Sequence, residues 1–218
     1  MTTILGIDEA GRGSVIGPMV LAGVLINKRD ENKLRRIGVK DSKLLSPLQR
    51  KRLYSLIKKI AKDYVSLKIS AKEIDELRKT INLNKIEAEK MAQIIKTMKA
   101  DIAYVDAPQV STEKFKAILL ALAKNKTEII AENYADLKFP VCSAASIIAK
   151  FERDKEIEKI KKIVGFNFGV GYSHDERSIE FVKKCLKEKK HLEFIRHSWI
   201  TVKDIKSEKE QKTLKEYK

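Results

Sequence analysis

Short apolar runs alternate with amphipathic stretches along this chain, and that alternation predicts strands followed by helices. Two early apolar runs are interrupted by glycines, which is typical of paired strands near the centre of a sheet. A later run, 102–108, predicts a buried strand that ends in Asp106. The predicted strands cover 3–8, 19–27, 64–69, 102–106 and 127–132.

The segments between these strands have apolar residues at helical spacing, which predicts helices there. Ser46 is predicted to cap a helix over 46–64, with Pro47 in its first turn. Further helices are predicted over 71–99, interrupted near 82–84, through the apolar positions of 115–122, and from Pro140 onward, followed by a mixed-charge tail that is helical or frayed. Strands that alternate with helices in this way predict an α/β fold with a central mixed sheet.

Composition narrows the class of protein. The 218 residues include 46 basic and 30 acidic residues, which leaves a formal charge of +16. A chain of this length can bury a full core, and its spread of apolar residues excludes a disordered or fibrous protein. The charge favours a polyanionic partner, such as nucleic acid or an anionic membrane surface, over a merely soluble basic surface.

Location and redox chemistry follow from what the sequence lacks. No secretory signal precedes the first apolar run, and no segment approaches the ~20 apolar residues that cross a bilayer, so we expect a cytoplasmic protein. Cys142 and Cys185 lack a CxxC pattern and the three histidines are scattered, so a zinc site is not expected. We expect both cysteines to be reduced packing residues, and the protein to be a monomer.

Acidic residues follow several predicted strands. Asp8 and Glu9 are adjacent at the end of the first strand, Asp106 ends a later strand, and Asp136 is predicted in a loop between strand and helix. Strand ends from distant parts of a chain converge in α/β sheets, and carboxylates without histidine or cysteine select Mg²⁺ or Mn²⁺. Two such ions could stabilise the attacking and leaving oxygens when a phosphodiester bond is cut. Taken singly, Asp106 and Asp136 also fit helix or turn caps.

The segment after the two acids, GRGSVIG, allows two interpretations. If Asp8 faces a site, alternation along the strand requires Glu9 to leave the strand, and Gly11 permits that turn. The spacing of Gly11, Gly13 and Gly17 is one residue too long for a dinucleotide-binding loop, and a strand follows instead of a helix. We therefore expect close backbone approach to a sugar, with Arg12 on a phosphate.

Five motifs in register, IDEAGRGSVIGP, VKDSKLLS, YVDAP, ADLKFPVCSAASIIAKFERD and GYSHD, resemble ribonuclease HII, specifically its archaeal branch. The resemblance implies a ribonuclease H-like catalytic domain over 1–164 and a helical C-terminal extension over 165–218. It also implies Mg²⁺- or Mn²⁺-dependent endonucleolytic cleavage of RNA in RNA/DNA hybrids. Single ribonucleotides embedded in duplex DNA are implied substrates as well, with 5′-phosphate and 3′-hydroxyl ends.

The resemblance also assigns roles to residues. It implies that Asp8, Glu9, Asp106 and Asp136 bind the metal ions. The loop of Gly11, Arg12 and Gly13 would recognise the ribonucleotide 2′-hydroxyl and the adjoining phosphate, since that hydroxyl distinguishes RNA from DNA. Tyr172 would stack on the sugar 3′ of the ribonucleotide, and Lys43 would lie close to the substrate backbone.

The C-terminal tail carries one more pattern. Gln211, Leu214 and Tyr217 fit the motif by which replication proteins dock on the sliding clamp, and a short helical turn would bring Leu214 and Tyr217 together. Two other functions stay open at this stage. A non-catalytic RNA-binding protein would explain the charge, and another ribonuclease H-like nuclease would explain the acids.

Overall fold

A five-stranded sheet organises the fold in this computed structural model, which describes residues 1–39, 45–108 and 111–216, with side chains described as far as residue 208. The strands are β1 (Thr3–Ala10), β2 (Met19–Asn27), β3 (Asp63–Ile69), β4 (Ile102–Asp106) and β5 (Glu128–Glu132). Their order across the sheet is β3-β2-β1-β4-β5. β1 is antiparallel to β2 and parallel to β4, and β4 is parallel to β5, so the predicted mixed sheet is confirmed.

Nine α-helices are present among the described residues. They are α1 (Glu31–Ile37), α2 (Pro47–Ile60), α3 (Ala71–Leu77), α4 (Leu83–Met98), α5 (Thr112–Ala123), α6 (Ala135–Lys138), α7 (Pro140–Val164), α8 (Glu176–Glu188) and α9 (Ile200–Glu216). The Ser46 cap of α2 is confirmed as a capping box with Gln49. The helix predicted from Pro140 is confirmed as well. The helices α8 and α9 lie in the C-terminal tail that was predicted as helical or frayed, whereas α1 and α6 were not predicted. None of the described helices is long and apolar enough to cross a bilayer.

The chain divides into two compact units. The first consists of residues 1–10, 20–68 and 83–153 and contains nearly all of the sheet, and the second consists of 11–19, 69–82 and 154–218. Each unit has its own apolar core. The assignment of 1–164 and 165–218 to separate domains stays a prediction.

In the first unit, the beginning of α7 lies against the middle of β1. A Cβ added to Gly6 would lie 2.2 Å from the carbonyl oxygen of Val141, closer than any side chain can come. Ala144, Ala145 and Ala149 of the same helix are completely buried. Small residues on both elements therefore allow this close packing, which places Ser146 and Lys150 of α7 near the Asp8 side chain.

In the second unit, an apolar cluster joins the segment after β1 to the C-terminal helices. Val15 and Ile16 are completely buried together with Phe168 and Ile195. This cluster anchors the backbone that follows the two adjacent acids, and the second unit therefore holds that backbone in a defined conformation.

Candidate active site

The register between β1 and β4 sets two acids side by side. These parallel strands pair from Ile4 with Ile102 to Ile7 with Val105. Continued by one residue, the register places Asp8 beside Asp106, on strands about 4.8 Å apart. Residues in one row of a parallel sheet share a face. Two carboxylates from chain positions almost a hundred residues apart therefore meet at the carboxyl end of the sheet.

Burial makes the charge of Asp8 costly. The side chain is 4% exposed, and burial raises the pKa of Asp8 from 3.8 to about 7, with the charge of Asp106 as the next cause. Contacts with Ser146, Lys150 and the Glu9 N–H, which donates to Asp8 Oδ1 at 2.7 Å, offset only part of this rise. A nearby cation would stabilise the ionised form of a carboxyl group in such surroundings.

Asp106 and Asp136 are joined through the start of α6. The Ala135 N–H donates to Asp106 Oδ1 at 2.8 Å, so Asp106 fixes the first residue of the short helix that carries Asp136. Asp136 is buried, and its backbone oxygen accepts a hydrogen bond from the Ser143 hydroxyl. The prediction that Asp136 lies in a loop is wrong, because the chain turns into α6 immediately after the left-handed Tyr134.

The Cys142 thiol has three of the predicted acids in its electrostatic surroundings. Burial raises the pKa of Cys142 well above its ordinary value, and the charges of Asp8, Asp106 and Asp136 raise it further. The sulfur donates to the carbonyl oxygen of Tyr104 at 3.2 Å. Cys142 is therefore a buried thiol held in its protonated form. This agrees with its predicted role as a packing residue.

The donor set fits a hard cation. Asp8, Asp106 and Asp136 offer carboxylate oxygens, which Mg²⁺ and Mn²⁺ prefer, and a bound cation would offset the burial and the Asp106 charge that raise the pKa of Asp8. In the described part of the chain, no three histidine, cysteine or acidic side chains are grouped tightly enough to hold a metal as they stand.

Glu9 does not leave the strand, and the prediction that it does is wrong. β1 continues to Ala10, with Glu9 paired with Leu21 of β2, because β2 supplies ladder partners along the whole length of β1. The turn comes at Gly11, with φ +79°. Glu9 is half-buried and next to Asp8 on the strand, where alternation directs neighbouring side chains to opposite faces.

The row of acids continues one strand further, which the sequence analysis missed. Glu132 of β5 pairs with Asp106 of β4. Its carboxylate forms an ion pair with Lys138. Glu132 therefore adds little net negative charge to the row. The signal in the sequence was present, since Glu132 ends a predicted strand, but its pairing with Lys138 depends on the short helix α6.

The loop after β1 contains Gly11, Gly13 and Gly17, which differ in backbone conformation and in the space around them. Gly11 and Gly17 have left-handed φ values of +79° and +82°, and a Cβ on Gly17 would lie 2.8 Å from Ile157 Cδ1. Gly13 has no left-handed φ, and a Cβ there would meet nothing within 4 Å. The fold therefore requires glycine at positions 11 and 17 but not at position 13. The backbone of Gly13 has open space beside it.

Tyr172 and the glycine loop are bonded to each other within the second unit. Ser14 and Tyr172 form an isolated β-bridge. The N–H groups of Val15 and Ile16 donate to the Gly171 oxygen at 2.8 and 3.1 Å. The half-buried Tyr172 ring stacks on the ring of His174, with centroids 5.5 Å apart. The two segments that the sequence analysis assigned to substrate recognition therefore share one backbone framework.

The segment that carries Tyr172 is held by two further side chains. Asp175 caps α8 and accepts hydrogen bonds from the Val170 N–H at 2.9 Å and from Arg177. Arg177 and the Val170 N–H lower the pKa of Asp175 to about 2. The Ser178 hydroxyl accepts from the Gly171 N–H and donates to the Phe168 oxygen. These bonds fix the backbone on both sides of Tyr172.

Arg196 is a second residue that the sequence analysis missed. It is completely buried, and its guanidinium donates to the oxygens of Arg12 and Gly17. Patterns of apolar residues do not identify a buried arginine. The nearest signal is its position two residues after Phe194 and three before the chain's single tryptophan, Trp199.

Four of the predicted site residues lie wholly or in part outside the described residues. Lys43 and Tyr217 lie outside the described residues. Gln211 and Leu214 fall within the bounds of α9, but their side chains also lie outside the described part of the chain. Their predicted roles stay predictions.

Comparison with known proteins gives consistent matches. A family model described as Ribonuclease HII matches residues 5–202. Ribonuclease HII of Pyrococcus furiosus is 45% identical over 223 residues, which cover 97% of this chain and 96% of that protein. The crystal structure of ribonuclease H2 from Pyrococcus horikoshii OT3 is 39% identical, with a TM-score of 0.88 and coverage of 95% and 98%. The predicted ribonuclease H-like fold is confirmed by this likeness.

Two further solved structures differ in what accompanies the protein. A structure of the PCNA:RNase HII complex from Archaeoglobus fulgidus contains a chain 42% identical to this one, with a TM-score of 0.84 and coverage of 90% and 95%. Bst-RNase HIII in complex with Mn²⁺ is 20% identical, with a TM-score of 0.78 and coverage of 94% and 70%. At that identity, the second likeness shows the fold alone.

Proposed function

Because this chain belongs to the ribonuclease HII family and is a ribonuclease H, we propose that it cuts RNA within RNA/DNA duplexes by divalent-metal catalysis. Its substrates are RNA/DNA hybrids and duplex DNA that carries a single ribonucleotide. The cut lies on the 5′ side of the ribonucleotide and leaves 5′-phosphate and 3′-hydroxyl ends. This activity would serve ribonucleotide excision during DNA replication and repair, in the cytoplasm and as a monomer.

The observation that carries the proposal is the side-by-side placement of the buried Asp8 and the half-buried Asp106. We propose that these two acids hold two Mg²⁺ or Mn²⁺ ions together with Asp136 and with Glu9, whose side chain would have to reach around the end of β1. When bound, the ions supply Lewis-acid stabilisation of the charge that develops on the scissile phosphate. The protein's own contribution is to bury Asp8 and to orient Asp106 through the Ala135 N–H.

Recognition of the ribonucleotide itself is assigned to the second unit. Arg12 binds a phosphate, and the exposed backbone at Gly13 approaches the ribose closely enough to detect the 2′-hydroxyl. Tyr172 stacks on the sugar 3′ of the ribonucleotide, and Lys43 contacts the substrate backbone. Support comes from the bridge between Ser14 and Tyr172. In this scheme, residues 1–164 form the catalytic domain and 165–218 the extension that carries Tyr172.

The C-terminal tail is assigned to the replication sliding clamp. Gln211, Leu214 and Tyr217 form the docking motif, and the PCNA complex of the Archaeoglobus fulgidus relative supports the assignment. Deletion of residues 210–218 is expected to abolish binding to the cognate clamp while cleavage of a short duplex stays unchanged. Clamp binding that survives the deletion contradicts the assignment.

Cleavage of a defined duplex tests the activity. The substrate is duplex DNA with one ribonucleotide, incubated with Mg²⁺ or Mn²⁺, and the all-DNA duplex serves as the matched control. We expect a single cut 5′ of the ribonucleotide by the wild type and none by Asp8→Asn. Binding without any cut would indicate an RNA-binding protein. A cut in the all-DNA duplex would indicate another nuclease of this fold.

A further inference from the structure

A buried arginine holds the backbone of the glycine loop in the second unit. Arg196 is completely buried. Its Nη1 donates to the Arg12 oxygen at 2.9 Å, and its Nε donates to the Gly17 oxygen at 3.0 Å. Its backbone N–H donates to the Val15 oxygen at 3.0 Å. One residue thus binds three carbonyl groups of a single short loop.

Burial decides what Arg196 can do. A guanidinium withdrawn from water is costly unless its N–H groups donate to acceptors, and hydrogen bonds from a charged donor are among the strongest in proteins. With no exposed surface, Arg196 has no direct access to a phosphate of the substrate. Its effect on the substrate must pass through the loop that it binds.

The peptide between Arg12 and Gly13 transmits that effect. A trans peptide is planar, so its C=O and N–H point in opposite directions. Because the Arg12 oxygen is directed at the buried Arg196, the Gly13 N–H is directed the other way. Gly13 is exposed, and a Cβ on it would meet nothing within 4 Å. The amide therefore faces open space, where a ligand oxygen can reach it.

The segment around Arg196 is itself fixed by α3. The N–H groups of His197 and Ser198 donate to the two carboxylate oxygens of Asp75 at 2.7 and 2.9 Å. The Trp199 ring packs against the Arg196 guanidinium at 4.8 Å, and Arg78 lies 4.7 Å from the centre of the same ring. These contacts hold Arg196 in place, and a side chain can orient a loop only if it is itself held in place.

We propose that Arg196 is a positioning residue, which orients the peptide between Arg12 and Gly13 so that the Gly13 N–H donates to the ribose 2′-hydroxyl oxygen. The inference rests on the proposed function, in which this loop distinguishes ribose from deoxyribose. It adds the residue that sets the direction of the donor. Loss of Arg196 frees the peptide to rotate. The preference for ribose over deoxyribose then falls more than the affinity for duplexes in general.

A ratio of two affinities tests this role. Fluorescence anisotropy, without divalent metal, compares a duplex that carries one ribonucleotide with the same duplex in all-DNA form. We expect Arg196→Gln to reduce the wild-type ratio by about tenfold, the effect of about one hydrogen bond. Arg78→Gln is the matched control, because it removes the same charge beside Trp199 without touching the loop, and it is expected to keep the wild-type ratio.

A conservative variant covers the case in which Arg196→Gln does not fold. A lysine ammonium lacks the planar fork that binds two carbonyl groups at once, so Arg196→Lys is expected to fold and to lower the ratio by several-fold. Equal loss of affinity for both duplexes, or a folded Arg196→Lys protein with the wild-type ratio, overturns the inference.

Hydrogen exchange separates this inference from the proposed function. Amides of residues 11–17 are expected to exchange faster in Arg196→Lys than in the wild type, and at the wild-type rate in Arg78→Gln. If the wild type itself prefers neither duplex, the proposed function fails. If the preference is present but exchange in the loop is unchanged by Arg196→Lys, only the role of Arg196 fails.

Discussion

Replacing Asp8 with asparagine should stabilise the metal-free protein. Burial and the neighbouring charge of Asp106 raise the pKa of Asp8 from 3.8 to about 7, so the ionised form is disfavoured in the folded state. Asparagine has nearly the same shape and cannot ionise. Its side-chain oxygen can still accept the hydrogen bond from the Glu9 N–H. The substitution therefore removes the unfavourable charge and keeps a principal contact.

The pH dependence of this gain has a definite sign. Between pH 4 and pH 7 the folded protein keeps a proton on Asp8 that the unfolded chain releases, so the wild type loses stability as pH rises through this window. Above pH 7 no further loss follows. At about 1.4 kcal/mol for each pKa unit, the largest gain for Asp8→Asn is ~4 kcal/mol. Lost contacts with Ser146 and Lys150 reduce it, so we expect about 1–3 kcal/mol.

Urea unfolding in EDTA at pH 5 and pH 8 measures this difference. Asp8→Asn should exceed the wild type in free energy of unfolding at pH 8 by more than it does at pH 5. Asp101→Asn is the control at the opposite end of β4, because hydrogen bonds from the Thr3 N–H and hydroxyl lower the pKa of Asp101. That variant should not be stabilised at pH 8. An Asp8→Asn protein less stable than the wild type at pH 8 refutes the reasoning.

Three other substitutions test separate parts of the structure. Gly13→Ala should change the free energy of unfolding by less than about 0.5 kcal/mol, because the fold leaves space for a methyl group, yet it should slow cleavage at a single ribonucleotide. Gly6→Ala should destabilise the protein by about 1–3 kcal/mol or more in urea unfolding, because its Cβ would overlap the Val141 oxygen; stability equal to that of Gly13→Ala would contradict the packing described. Asp175→Asn should raise KM more than it lowers kcat, because the segment around Tyr172 loses its charged cap. Its stability deficit should persist above pH 4 and disappear as pH falls toward about 2, the pKa of Asp175; a deficit independent of pH would count against the charge of Asp175.

Periodicity predicted the sheet well because β1 and β2 are buried along most of their length and buried positions alternate in β4 and β5. The strand over 19–27 has the same bounds in the structure, and its alternation with helices led directly to the mixed α/β fold. The bounds of α8 were not predicted, only a tail that is helical or frayed, although its buried Ser178, Phe181, Val182 and Cys185 have helical spacing. Its many charged residues between these positions obscured the apolar stripe.

Local rules failed where partners distant in sequence decide the conformation. Glu9 was expected to leave β1, but β2 continues to pair with β1 as far as Ala10. Asp136 was expected in a loop, but the left-handed Tyr134 begins α6 before it. The roles of Glu132 and Arg196 depend on contacts with Lys138 and with the Arg12 oxygen. Spacing along the chain carries no information about such pairs.

Binding of Mn²⁺ to the purified protein tests the central claim most directly. The claim is that the adjacent acids Asp8 and Asp106 belong to the metal site of this ribonuclease. In a titration followed by electron paramagnetic resonance at pH 8, the wild type and Asp101→Asn should bind Mn²⁺ equally. Asp8→Asn and Asp106→Asn should each lose affinity by about tenfold or more. Wild-type affinity and stoichiometry in both of these variants would contradict the account.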